Sequence, residues 1–97
     1  MTEVYVIPDD AVIKKRVNSV TRLLEGKAII IQNGNPCPFQ LNEAGTKIWA
    51  WMDCPRQKNE LIALLCAAYQ AEKNMLVADL DFFLAELFRR NLIETDC

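Results

Sequence analysis

Four consecutive segments decide the fold: Lys27-Ala-Ile-Ile-Ile-Gln32, Asn33-Gly34-Asn35-Pro36, Cys37-Pro-Phe-Gln-Leu41 and Asn42-Glu-Ala-Gly-Thr-Lys-Ile-Trp49. Three successive isoleucines favour a pleated, buried strand over residues 27–32. Asn-Gly tolerates positive φ, and the following proline stops the ladder, so residues 33–36 read as a turn. Residues 37–41 then read as a short returning strand. Pro36 and Pro38 have no backbone N–H to donate, which confines that strand to a sheet edge. At Asn42 the apolar period changes from two to nearly four. Asn42 is a good N-cap, and Leu41, Gly45, Ile48, Trp49 and Met52 share one helical face.

Working outward from the switch, the chain divides into a strand half and a helix half. Residues 11–17 and 20–25 read as earlier strands, the second running into Gly26. Helices are expected over residues 43–53, 57–70 and 77–90, with Pro55 ending the first and Asn91 a left-handed cap for the third. Glu43 and Lys47 form a favourable i,i+4 pair on the outer side of the first. The second helix is nearly all apolar in its later turns and is expected to be the most buried. The third turns Val77, Leu80, Leu84 and Leu87 inward, with Phe83 and Phe88 beside them, and Leu92-Ile93 tuck back onto the core. The fold class is therefore α+β. We expect a small winged-helix-like domain in which a three-stranded antiparallel N-terminal sheet precedes three helices. Residues 1–97 form one domain, with 1–10 a loosely attached N-terminal arm.

Composition excludes whole classes of chemistry. The 97 residues contain no histidine, so Ser–His and Cys–His nucleophilic pairs and histidine metal sites are absent. The four cysteines show no C-x-x-C spacing, and the start lacks a basic-then-apolar signal pattern. They read as reduced, mostly small core hydrophobes in a soluble cytoplasmic protein. The longest apolar run, Leu61 to Tyr69, is too short to span a bilayer. Eleven basic residues against thirteen acidic ones give no general attraction to nucleic acid.

Few side chains offer catalysis. Asp79 and Asp81 lie two apart on a helix, about 200° around it, and cannot act as a pair on one substrate; they read as solvated charges. Asp9-Asp10 reads as a turn. The three glycines are scattered and build no phosphate cradle. Glu86 with Arg89 and Arg90 is either a surface ion cluster or the polar rim of a groove. Trp49 belongs to the core, whereas Trp51 points elsewhere, to a partner or under the N-terminal arm. Phe82 and Phe83 are adjacent, so one of them must sit at the helix flank. An edge strand over 37–41 beside that flank would offer backbone groups next to an aromatic wall, a setting in which an extended peptide can add as a strand. The same prolines could instead guard the edge against aggregation.

The ordered set Leu41-Asn42-Glu-Ala-Gly45-Thr-Lys-Ile48-Trp49, Glu60-Leu61-Ile62 with Tyr69, Asp79-Leu-Asp-Phe-Phe-Leu84-Ala-Glu-Leu87 and Asn91-Leu92-Ile93-Glu94 resembles the PqqD family over about residues 12–94. Cys54-Pro55 and Asn91 stand where that family usually has glycine. The resemblance implies a non-catalytic recognition element that binds the leader of a ribosomally made precursor peptide. Such an element presents the peptide to a modifying enzyme, often a radical-SAM protein, and needs no cofactor of its own. It further implies that the peptide adds beside an edge strand against the third helix, at Pro38, Phe39, Gln40 and Leu41 and at Phe82, Phe83, Glu86 and Arg90. No metal, nucleic acid or membrane partner is expected, and the chain should be a monomer or weak dimer. The alternative is a DNA-binding winged helix. Its recognition helix should present basic and amide side chains, whereas residues 77–90 hold three acids against two arginines.

Overall fold

The computed structural model describes residues 7–96. Nine elements follow in order: β1 (Val12–Lys15), β2 (Ser19–Leu24), β3 (Lys27–Gln32), β4 (Phe39–Gln40), α1 (Glu43–Trp51), β5 (Arg56–Gln57), α2 (Lys58–Ala68), α3 (Lys73–Arg89) and β6 (Ile93–Asp96). The strands form two three-stranded antiparallel sheets, ordered β2-β3-β4 and β5-β1-β6.

The expected three-stranded sheet ahead of three helices is β2-β3-β4. Its β2–β3 hairpin turns on Glu25 and Gly26, both at positive φ, the turn whose twist matches its strands. Contrary to the buried strand expected from three isoleucines, β3 buries one face only. Ile30 is buried, Ile29 half-buried and Ile31 43% exposed. Period-two alternation over a single covered face explains this. On the covered face, the Ala28 N–H donates to Thr46 Oγ1 at 2.9 Å, and Trp49 Nε1 donates to Thr21 Oγ1 at 2.8 Å. Those two bonds seat α1 on the sheet.

The second sheet departs from the expected order. Residues 12–15 do not extend the N-terminal sheet; they pair with the C-terminal strand, Ile13 opposite Thr95 and Lys14 opposite Glu94. Ile13 and Ile93 are fully buried there. Leu92 and Ile93 tuck inward as expected, after Asn91 at φ 60° reverses the chain. Residues 1–6, most of the expected loose arm, lie outside the described residues. The remainder is held: Ile7 is buried, and its carbonyl accepts from Lys58 Nζ at 2.8 Å.

The helices pack their leucines together. Leu61 and Leu65 of α2 meet Leu76, Leu80, Leu84 and Leu87 of α3 in the core. α3 begins at Lys73 rather than 77; its first turn, Lys73-Asn74-Met75, is exposed and has no apolar period to mark it in the sequence. α2 has four buried residues in eleven, the largest share of the three helices, but its later turns are not the buried part: Ala63, Cys66, Ala67 and Ala68 are exposed, small residues on its solvent side. Cys37, Cys54 and Cys66 are all exposed and unpaired, which corrects their assignment to the core; Cys97 lies outside the described residues. Asp81 is not a solvated charge either. It pairs with Lys58, which is only 2% exposed and has Asp9 Oδ1 at 3.4 Å as a second anion. A buried ammonium needs such partners, and these tie the N-terminal segment and α3 to α2.

Candidate functional site

The site begins with β4. Asn35 Oδ1 accepts from the Cys37 N–H at 3.0 Å, closing the turn that leads into the strand. β4 then pairs with β3, Phe39 opposite Ile30 and Gln40 opposite Ile29. The Leu41 N–H donates to the Ala28 carbonyl at 2.8 Å. In an antiparallel ladder alternate residues face opposite edges, so 39 and 41 bond inward to β3 while the Gln40 N–H and carbonyl face the outer edge. The same alternation turns the Pro38 carbonyl and the Asn42 N–H outward.

Opposite this edge stands α3. Between them lies a cavity of about 390 Å³. Phe39, Gln40 and Leu41 line its strand side, and Asp79, Phe82, Phe83 and Glu86 line its helix side. Asn42, Ala44, Gly45 and Ile48 of the α1 entry form its floor. The entry is fixed by Asn42, whose Oδ1 accepts from the Gly45 N–H at 2.7 Å. A Cβ at Gly45 would sit 3.3 Å from Phe83 Cε1, so glycine lets that ring lie against the start of α1. Phe83 is half-buried on the core and Phe82 is 69% exposed, the division expected of adjacent aromatics on one helix.

One end of the groove is held by charge. The Arg90 guanidinium lies 4.0 Å from the Phe39 ring centroid and donates to Glu86 Oε2 at 2.7 Å. Arg89 binds the other carboxylate oxygen of Glu86. Hydrogen bonding from Arg90 holds the Glu86 carboxyl below the ordinary glutamate value; partial burial opposes this and Arg89 reinforces it. The Gln32 side chain donates to the Arg90 carbonyl at 2.9 Å, fastening the C-terminus of α3 to β3.

Six of the eight residues expected at the site line this cavity: Phe39, Gln40, Leu41, Phe82, Phe83 and Glu86. Arg90 closes one end through Phe39, and Pro38 immediately precedes the strand. Sequence reasoning left out Asp79, Asn42, Gly45 and Ile48. The helical spacing of Asp79 to Phe82, Phe83 and Glu86 was the available signal. Trp51 faces inward and packs against the core, and its carbonyl accepts from Arg56. Among the described residues no group of Cys, Asp and Glu is placed to hold a metal ion, and no helix is long and apolar enough to cross a membrane.

Fold and site together define a small α+β domain that places an outward-facing strand edge against an aromatic helix wall. The chain belongs to the PqqD family: the model of "Coenzyme PQQ synthesis protein D (PqqD)" matches residues 31–93, from β3 to the start of β6. A solved structure described as TbiB1 in complex with the TbiA(beta) leader peptide shares the fold, at a TM-score of 0.76 and 22% identity over 84% of this chain and 94% of that one. No curated protein matches the chain.

Proposed function

We propose that this protein is a recognition element for a ribosomally made precursor peptide, adding the peptide's leader as a strand at the outer edge of β4. The observation that carries this reading is the outward-facing Gln40 amide beside a groove walled by Phe82 and Phe83. Backbone bonds to Gln40, the Pro38 carbonyl and the Asn42 N–H would supply register, and alternate peptide side chains would enter the apolar groove. So short an edge supplies few ladder bonds, and the exposed Phe82 ring must provide much of the affinity. Membership in the PqqD family and the likeness to a leader-peptide complex support the reading.

The chain acts in this reading as an adaptor and not as a catalyst, presenting the leader to a modifying enzyme. The groove side chains position a substrate and perform no bond chemistry. A titration of isotope-labelled protein tests the binding, using synthetic peptides from the N-terminal regions of short open reading frames encoded beside it. Amide shifts confined to residues 37–45 and 79–90 are expected for a cognate leader. Saturating binding that leaves those residues unmoved would overturn the proposal.

A further inference from the structure

The groove is charged oppositely at its two ends. α3 runs antiparallel to β4: Phe83 lies against Gly45, beyond the strand's end, and Arg90 stacks on Phe39 at its start. Glu86 is shared by two arginines, so the Phe39 end holds one surplus positive charge. Asp79 lies one helical turn before Phe83, on the groove wall at the other end. Its helix neighbours at three and four positions are Met75, Leu76, Phe82 and Phe83, so no cation on its own helix can pair with it. Asp81 adds nothing here, being engaged with Lys58 elsewhere on the helix. Two aromatic rings separate the ends, and a charge beside low-dielectric walls is felt more strongly than one in open water.

On the peptide-binding reading, we propose that this polarity selects the docking segment. The segment carries a basic residue where it passes Asp79 and an acidic residue where it passes Arg90. Eleven helical steps separate the two, about 16 Å of rise. An extended strand covers that distance in roughly five residues. Antiparallel addition to β4, the better-bonded arrangement, puts the basic residue on the N-terminal side. Asp79 is thus a specificity-determining residue: it discriminates among peptides by the charge they carry at one end.

Selection from a randomised twelve-residue peptide library displayed on phage, carried out on the full chain, tests this. Groove ligands are those that fail to bind a Gln40→Pro variant. Among them, Lys or Arg should be enriched roughly five positions before Asp or Glu. Asp79→Lys should reverse the preference at the first position and weaken peptides selected on the original chain by about fivefold, the scale of a partly exposed ion pair. Groove ligands without that charge order, or with an order unchanged by Asp79→Lys, would overturn the inference and leave peptide binding standing. Ligands that all bind Gln40→Pro equally well would overturn the peptide-binding reading itself, and this inference with it.

Discussion

The β2-β3-β4 sheet has two edges, and they differ in almost everything except being edges. β2 is six residues long, and register turns the backbone groups of Ser19, Thr21 and Leu23 outward. β4 is two residues long and follows two prolines. By hydrogen-bonding capacity alone β2 is the better template. Yet every residue of β2 after Ser19 is exposed, whereas β4 borders a cavity walled by α3. Arg22 on β2 and Lys27 opposite its end add the charges by which natural sheets discourage pairing. An unpaired ladder attracts any strand; a ladder beside a shaped wall can choose one.

The largest test of that contrast is to weaken the wall from behind. Lys58→Ala leaves Asp81 without its buried partner and should cost about 3–5 kcal/mol, read as a lower midpoint in denaturant unfolding. The β2 edge has no such dependence, so its hairpin amides should keep their relative protection while those of α3 lose theirs. Next in size is a matched pair of proline substitutions. Gln40→Pro removes the outward N–H beside the groove and should reduce leader affinity by more than tenfold, by calorimetry. Leu23→Pro removes an outward N–H from β2 and should leave that affinity unchanged. Equal effects would erase the distinction between the edges.

Side chains sharpen it further. Phe82→Ala removes an exposed ring from the groove and should weaken binding by about five- to tenfold with no loss of stability. Leu24→Ala, a change at a similarly exposed apolar residue on β2, should alter neither. The smallest effect is on pH. The Glu86 carboxyl titrates below its unfolded value of 4.5, so its pairing stabilises the fold fully above that pH. The contribution fades as pH falls through the lower, folded value, and Glu86→Gln should remove this part of the acid sensitivity.

The β4 edge was legible from sequence because its signals are local. Two prolines, an Asn-Gly turn and an Asn cap each act within a few residues of themselves. The division between Phe82 and Phe83 follows from helical angle alone. What local patterns do not contain is pairing across the chain. β5 is two residues long, and β1 finds β6 about eighty positions away, so neither announces the second sheet. Lys58 and Asp81 each look like surface charge until the fold brings them together with Asp9. The usual burial of free cysteine points Cys37, Cys54 and Cys66 inward, yet each falls on a turn, a loop or an outward helix face. Asp79 reads as a solvated charge in the sequence, because only the fold shows that its helix face borders a groove.

Strand addition at β4 turns on one backbone amide. Hydrogen exchange of the Gln40 N–H, followed by NMR with and without saturating leader peptide, reports whether a strand has formed there. Strand addition at β4 predicts marked slowing at Gln40, with the outward amides of Thr21 and Leu23 unchanged. Slowing at Thr21 and Leu23 while Gln40 exchanges as before would contradict it.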